Sequence, residues 1–164
     1  MRGGLYIHIP FCVQKCLYCD FPSVAGAVER QGAAYVAALV RQVQVWRRRF
    51  PAFQPETVFI GGGTPSLLSA GQLGALVAAL AAAGWWQSAA ERTIEANPGT
   101  VALDKLQAMH GLGLNRISFG VQSFSDTLLQ EIGRLHTAAA AVEAVENAAQ
   151  AEIRPLNLHV ALPI

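Results

Sequence analysis

The sequence is poor in charge and has no excess of either sign. Only 14% of its 164 residues are charged, and 12 lysines and arginines balance 11 acidic residues to a net charge of +1. Soluble domains average about 25% charged residues. Nucleic acids and anionic membranes require a clustered basic surface. The one basic run, Arg47-Arg48-Arg49, follows a helical pattern and is typical of a solvated helix end, so we expect no nucleic-acid partner.

Long hydrophobic runs are also missing from the sequence. The longest apolar stretch, from Leu73 to Trp86, has 14 residues, whereas a membrane-spanning helix needs about 18 or more. No signal-peptide pattern follows Met1. We therefore expect a cytoplasmic protein without a transmembrane segment. Because 52% of the residues are hydrophobic, intrinsic disorder is excluded, and the length fits one domain or part of one.

Cysteine is scarce and confined to one place. The three cysteines, Cys12, Cys16 and Cys19, lie within eight residues. An odd number of thiols in a cytoplasmic protein suits a metal centre better than disulfides. Thiolates are the ligands of iron–sulfur clusters, and three of them on a four-iron cube leave one iron open for a small molecule. Free loop cysteines and a zinc site completed by His8 are the alternatives, although no distant ligand pair of the usual zinc pattern is present.

Short β-rich segments alternate with longer helical patterns, which predicts an α/β fold with a parallel sheet and crossover helices. The predicted strands are 5–9, 57–61, 92–96, 116–120 and, more weakly, 156–162; the predicted helices are 29–49, 70–83, 102–110, 125–132 and 137–151. Ser69, Ser125 and Thr137 are predicted N-caps, and Gly84 and Gly111 are predicted helix ends. Periodicity alone leaves an open sheet and a barrel as alternatives.

Polar or glycine-rich segments follow the predicted strands. In both architectures, active sites lie at the carboxyl ends of parallel strands. The cysteine segment follows the first strand, and Gly61-Gly62-Gly63-Thr64-Pro65 follows the second. We expect the glycine segment to expose consecutive, free backbone amides at the strand end, suited to close approach by a carboxylate or amine-bearing ligand. The glycine segment is not a phosphate loop, since the required lysine is missing.

Single residues near the same strand ends are weaker candidates. Glu95 ends the third strand pattern, where a carboxylate is able to bind a ribose or an amine. Gln122 is able both to donate and to accept hydrogen bonds, and the planar guanidinium of Arg134 has paired N–H donors suited to a carboxylate. We interpret His136 as a cap or surface residue and His8 as a satisfied core histidine.

Taken together, these segments resemble the radical S-adenosylmethionine (SAM) superfamily, and within it the oxygen-independent coproporphyrinogen III oxidases and HemW-type heme chaperones. The resemblance runs from Leu5 to about Thr137. It is carried, in order, by residues 6–12 (Tyr-Ile-His-Ile-Pro-Phe-Cys), 16–20 (Cys-Leu-Tyr-Cys-Asp), 61–65 (Gly-Gly-Gly-Thr-Pro), 95–99 (Glu-Ala-Asn-Pro-Gly) and 116–123 (Arg-Ile-Ser-Phe-Gly-Val-Gln-Ser).

The resemblance implies a partial (β/α) barrel that binds two cofactors. Cys12, Cys16 and Cys19 would hold a [4Fe-4S] cluster whose open iron is chelated by SAM, and reduction of the sulfonium would release methionine and a 5′-deoxyadenosyl radical. An electron donor such as flavodoxin or ferredoxin is implied as well. The positions implied to contact SAM are Tyr6, Tyr18, Gly62, Gly63, Thr64, Glu95, Gln122 and Arg134.

The sequence departs from the family pattern at its end. The family has an aspartate in a run resembling Asn157-Leu158-His159, and a glycine after a Leu-Pro pair where this chain reads Leu162-Pro163-Ile164. We therefore expect residues 1–164 to be an incomplete core domain of about five parallel strands, truncated at the C-terminus, without the rest of the barrel and the C-terminal domain.

A single position favours the chaperone group over the oxidases. The oxidases have a further cysteine two residues after the third, where this sequence has Phe21. The resemblance therefore implies a heme chaperone that holds heme and delivers it to acceptor hemoproteins. The alternative within the family is a coproporphyrinogen III dehydrogenase that decarboxylates propionate side chains. A zinc-binding structural module is the alternative outside it.

Overall fold

The computed structural model describes residues 2–158, in which strands alternate with helices as predicted. The strands are β1 (Arg2–Ile9), β2 (Phe11–Cys12), β3 (Val24–Ala25), β4 (Gln54–Gly62), β5 (Glu91–Ala96), β6 (Arg116–Phe119) and β7 (Arg154–Leu158). The helices are α1 (Val28–Arg49), α2 (Ala70–Ala82), α3 (Trp85–Ser88), α4 (Leu103–Gly111), α5 (Asp126–Glu131) and α6 (Ala138–Gln150). Short 3-10 turns, Pro65–Leu67 and Pro98–Thr100, follow β4 and β5.

Five strands form one parallel sheet in the order β1-β4-β5-β6-β7. Each connection moves one strand further along the sheet, the progression found in (β/α) barrels. The predicted α/β fold with parallel strands and crossover helices is confirmed. The last described strand begins at Arg154, two residues before the predicted segment 156–162. Residues 159–164, including His159 and the Leu162-Pro163-Ile164 sequence, lie outside the described residues.

Side chains alternate between the two faces of the sheet. Ile7, Val58, Ile94 and Ile117 are buried in one hydrophobic core with side chains from the covering helices, among them Val36, Leu73, Leu76, Leu106 and Met109. The opposite face carries Tyr6, Phe59, Thr93 and Arg116, which lie side by side on four neighbouring strands. The period of two thus separates an apolar face under the helices from a face with polar groups.

Hydroxyl caps begin three of the helices, as predicted. The Ser69 hydroxyl accepts from the Gln72 amide at 3.2 Å, and the Gln72 side chain accepts from the Ser69 amide at 2.8 Å. This reciprocal pair satisfies two backbone donors at the start of α2. Ser125 and Thr137 cap α5 and α6 in the simpler way. Gly84, with φ 75°, ends the α2 segment as predicted.

α4 ends at Gly111, as predicted, but the glycine with the left-handed conformation comes two residues later. α4 includes Gly111, and the left-handed residue is Gly113, with φ 88°. The Gly113 amide donates to His110 O at 2.7 Å, and the Leu114 amide donates to Met109 O at 3.1 Å. These two bonds satisfy carbonyls of the last helical turn. They require the left-handed conformation at Gly113 rather than at Gly111.

The short helix α3 was missed because its tryptophans continue the apolar pattern of α2. Both indole rings are buried, and their N–H groups donate to Phe53 O at 3.1 Å and to Leu112 O at 3.0 Å. Trp85 and Trp86 therefore hold α3 against the loops that precede β4 and β6. No helix within residues 2–158 is long and apolar enough to cross a membrane.

Replacing the α2 cap tests its contribution to stability. We expect Ser69→Ala to lower the free energy of unfolding by about 1 kcal/mol, because it leaves the Gln72 amide without its acceptor. Urea unfolding monitored by circular dichroism measures the change. Ser69→Asn, which restores an acceptor, is expected to lose much less; equal losses in both variants would contradict the capping role.

Candidate metal centre

The cysteine segment forms a loop that is held by hydrogen bonds on two sides. β2 pairs with β3, and the Gly26 amide donates to Cys12 O at 2.9 Å. On its far side the loop contacts the turn after α5, where Leu17 N donates to Ile132 O at 3.3 Å and Gln14 Nε2 donates to Gly133 O at 2.8 Å. The positions of the thiols are therefore set by contacts with segments on both sides of the loop.

Two of the thiols receive hydrogen bonds from side chains that the sequence also indicated. The Thr64 hydroxyl lies 3.7 Å from Cys12 Sγ, and Arg134 Nη1 lies 3.5 Å from Cys16 Sγ. Donors of this kind stabilise negative charge on sulfur. Because iron binds thiolates, the surroundings of Cys12 and Cys16 suit metal ligands better than inert thiols.

The glycine segment packs against the cysteine segment. A Cβ added to Gly63 would lie 2.6 Å from Phe11 O and 2.9 Å from Cys12 Sγ, and one added to Gly62 would lie 2.6 Å from the Nδ1 atom of His8. Gly62 has φ 120°, a conformation that L side chains rarely adopt. Glycine is required here because two backbones approach closely.

The expectation of free amides in this segment was wrong. Gly62 N donates to the Glu95 carboxylate at 3.0 Å, Gly63 N donates to Ile9 O at 2.8 Å, and Thr64 N donates to Phe11 O at 2.7 Å. All three donors are used to join β4 to its neighbours. A ligand in this cleft would therefore meet the edge of the segment rather than a row of unoccupied N–H groups.

Gln122 lies on a strained turn. It is one of two non-glycine residues within 2–158 that have positive φ, here 70°. The flanking bonds, from Val121 N to Phe119 O at 3.1 Å and from Ser123 N to Val121 O at 2.9 Å, close tight turns after β6. Strained backbone conformations are concentrated at functional sites, which makes Gln122 a candidate functional residue.

These segments surround one cleft with a volume of about 270 Å³. All predicted metal and cofactor residues except Tyr6 line it: Cys12, Cys16, Cys19, Tyr18, Gly62, Gly63, Thr64, Glu95, Gln122 and Arg134. Burial raises the pKa of Tyr18, and this outweighs the opposite effect of the Arg134 guanidinium. Residues separated by up to about 120 positions thus converge at the carboxyl ends of the strands.

Tyr6 lies beside this cleft rather than in it. Its ring borders a neighbouring cavity of about 330 Å³ that Tyr35 and Trp46 also line. The Tyr6 hydroxyl lies 3.0 Å from His8 Nδ1, and partial burial together with the nearby Glu95 carboxylate raises its pKa. Tyr6 is therefore linked to the cleft through His8 and Glu95.

His8 has a partner at each ring nitrogen, as expected of a satisfied histidine. Nε2 lies 3.0 Å from Pro22 O and must donate to that carbonyl, which leaves Nδ1 to accept from the Tyr6 hydroxyl. A zinc site completed by His8 would have to break one of these bonds. Within residues 2–158, no three His, Cys, Asp or Glu side chains are close enough together to surround one metal ion. The case for a cluster therefore rests on the cleft that the three cysteines share and on the donors to two of their sulfurs.

His136 is neither a cap nor a surface residue, contrary to the sequence interpretation. It is 8% exposed, and its Nε2–H donates to Val121 O at 3.1 Å. Burial lowers its pKa, and Arg134 lowers it further. The sequence carries no signal of this burial, because it depends on how the loop after α5 folds back against the turn after β6.

Comparison with known proteins agrees with this geometry. Residues 6–164 match the family model described as the radical SAM superfamily. The chain belongs to the radical SAM superfamily. It is 42% identical to the heme chaperone HemW of Haemophilus influenzae and 44% identical to that of Escherichia coli, in each case over 94% of this chain. It spans 42% and 41% of the lengths of those relatives.

A solved structure of another member of the superfamily has a similar fold. Coproporphyrinogen III oxidase (HemN) from Escherichia coli, described as a radical SAM enzyme, matches with a TM-score of 0.79 and 26% identity. The match covers 92% of this chain and 35% of that one. The cobalamin-dependent enzyme OxsB, with a TM-score of 0.60 at 15% identity, shares the fold.

Gly63→Ala tests the close approach at the site. The added carbon must displace either the glycine segment or Phe11 and Cys12, so we expect a several-fold lower iron content after anaerobic reconstitution, measured per chain. Gly71→Ala, in α2, is the control, since the added Cβ would contact only Ser69 Oγ, at 3.9 Å. Full iron content in Gly63→Ala would contradict the packing argument.

The buried His136 predicts a pH dependence of stability. Because its folded-state pKa is depressed, the unfolded chain takes up a proton first as the pH falls below about 6.5. We expect the free energy of unfolding of the metal-free, reduced protein to fall between pH 7.5 and 5.5, and to fall less in His136→Gln. The exposed His110→Gln should follow the parent protein; identical profiles for all three would contradict the prediction.

Proposed function

We propose that this chain holds a [4Fe-4S] cluster on Cys12, Cys16 and Cys19, binds SAM in the adjoining cleft, and serves as a heme chaperone that delivers heme to acceptor hemoproteins. The observation that carries the proposal is that all three cysteines line one cleft, in which Thr64 donates to the sulfur of Cys12 and Arg134 donates to that of Cys16. The similarity to HemW over 94% of the chain supports it.

The residues of the cleft fit both cofactors. Cys12, Cys16 and Cys19 would hold the cluster, which would have one iron free for the amino and carboxylate groups of SAM and would supply one electron to the sulfonium. The tied loop would hold the thiolates near Thr64 and Arg134, whose hydrogen bonds offset negative charge on two sulfurs. Phe21, which is exposed, also lines the cleft.

The side chains around the cleft have chemistry suited to SAM. The Arg134 guanidinium provides a planar fork for the carboxylate, and the Glu95 carboxylate is an acceptor for an amine or a ribose hydroxyl. Gln122, with its strained backbone, offers both a donor and an acceptor. Tyr18, Gly62, Gly63 and Thr64 border the same space, and Tyr6 would act through His8 and Glu95.

The heme chaperone role rests on relatives that are longer than this chain. The oxidase alternative, a coproporphyrinogen III dehydrogenase, is favoured by the HemN fold similarity, with a TM-score of 0.79. Phe21 at the position of the oxidases' additional cysteine favours the chaperone. We further propose a cytoplasmic location and an electron donor such as flavodoxin or ferredoxin.

Cluster binding is tested by Cys16→Ala. We expect the anaerobically reconstituted parent protein to contain about four iron and four sulfide per chain, as the cube requires, and to bind SAM in equilibrium dialysis. Cys16→Ala should lose both, whereas Val13→Ala, at an exposed position of the same loop, should retain them. A colourless product containing zinc, or a cluster unchanged in Cys16→Ala, would contradict the proposal.

Heme handling separates the two family members. The reconstituted chain is titrated with heme and, separately, incubated with coproporphyrinogen III, SAM and a reductant. Stoichiometric heme uptake without turnover, followed by transfer to an apo-hemoprotein, supports the chaperone. Formation of protoporphyrinogen IX would overturn it in favour of the dehydrogenase.

A further inference from the structure

Asn97 links the two side chains that donate hydrogen bonds to Cys12 and Cys16, a role that the sequence did not reveal. Its Nδ2 donates to Thr64 Oγ1 at 3.2 Å, and its Oδ1 accepts from Arg134 Nη2 at 2.7 Å. Thr64 in turn contacts Cys12 Sγ, and Arg134 contacts Cys16 Sγ. A continuous path of hydrogen bonds therefore joins Cys12 to Cys16 through a single amide.

The direction of each bond in this path is determined by the chemistry of the groups. The Thr64 hydroxyl has one proton, and donating it to Cys12 Sγ leaves only lone pairs for a second partner. That partner must donate, which the Asn97 amide nitrogen does. The Asn97 oxygen must then face Arg134, which has donors alone. Only asparagine among residues of this size supplies one donor and one acceptor in this geometry.

The backbone of Asn97 is held so that its side chain reaches both partners. Pro98 follows, and Asn97 has the extended conformation, φ −93° and ψ 139°, that a residue before proline favours. Its carbonyl accepts from Thr100 N at 2.9 Å and from Thr100 Oγ1 at 2.7 Å. The amide is therefore anchored at the start of the 3-10 turn that follows β5.

Packing around the amide leaves little room for another arrangement. A Cβ added to Gly120 would lie 3.2 Å from Asn97 Oδ1 and 3.3 Å from Arg134 Nη2. Arg134 also donates to Gly120 O through the same nitrogen. Asn97, Arg134, Cys16 and Gln14 line both the cofactor cleft and a second cavity of about 280 Å³, so this part of the path is the partition between the two cavities.

We propose that Asn97 is a positioning residue that directs the Thr64 hydroxyl onto Cys12 and the Arg134 guanidinium onto Cys16, and thereby raises the reduction potential of the cluster. The inference rests on the proposed cluster. A hydrogen bond to a ligating sulfur withdraws electron density, which favours the reduced, more negative cluster. The effect is exerted through Thr64 and Arg134, since Asn97 itself contacts neither sulfur.

Asn97→Asp is the most specific test. A carboxylate accepts from Arg134 as the amide does but has no proton to give, so the Thr64 hydroxyl should turn its proton to the introduced carboxylate and away from Cys12. We expect a lower potential, corresponding to a roughly tenfold higher oxidised-to-reduced ratio at a fixed solution potential, about 59 mV for a one-electron couple. A redox titration followed by electron paramagnetic resonance, without SAM, measures it.

Two further variants test whether the effect comes from a remote change in net charge and whether it passes through the Thr64 hydroxyl. Asn115→Asp makes the same charge change at the start of β6, at the opposite end of the sheet, where Asn115 bonds to Arg92 N and Ala90 O. Its potential should remain near that of the parent. Thr64→Val removes the donor to Cys12 directly, so adding Asn97→Asp to it should lower the potential by less than Asn97→Asp does alone.

The outcomes distinguish this inference from the proposed function. Absence of a cluster in the parent protein overturns both. A cluster in the parent whose potential is the same in Asn97→Asp and Asn115→Asp overturns the role of Asn97 alone. If Asn97→Asp fails to fold by circular dichroism, Asn97→Ala, which removes both bonds without adding charge, decides: a lower potential supports the role, and an unchanged one overturns it.

Discussion

The close contact between the Gly62-Gly63 backbone and the chain from Ile9 to Cys12 is the constraint on which the site depends. Gly63 and Thr64 donate to carbonyls of that chain at 2.8 and 2.7 Å, and any side chain at Gly63 would overlap Phe11 O. The ends of β1 and β4 are thus joined beyond the sheet itself. Cys12, Thr64 and Glu95 become neighbours because of this junction.

Arg134 provides the corresponding link on the other side of the cleft. Its guanidinium contacts Cys16, Asn97 and the carbonyl of Gly120. Its charge also depresses the pKa of the buried His136 and opposes the rise in the pKa of Tyr18. One cation therefore influences the cysteine segment, the turn after β6 and two titratable rings.

The sequence was sufficient for the parallel sheet, the caps and the convergence of the site, because these follow from periodicity and from the rule that strand ends meet at one edge. It was not sufficient for hydrogen-bond partners. The amides of the glycine segment were expected to be free, yet Glu95 and two carbonyls occupy them. Nor could spacing show that His136 is buried or that Asn97 joins Thr64 to Arg134, since those contacts depend on how loops distant in sequence fold back together.

The two-residue ladder between β2 and β3 closes the segment that carries the thiols. Closing a loop of this size lowers the conformational entropy of the chain, and this loss occurs when the polypeptide folds. Binding of a ligand to the closed loop would not repeat it. Contacts at Ile132 and Gly133 hold the far side of the segment. The same framework would remain after oxygen destroyed the proposed cluster, so reassembly would require iron and sulfide but no refolding of the polypeptide.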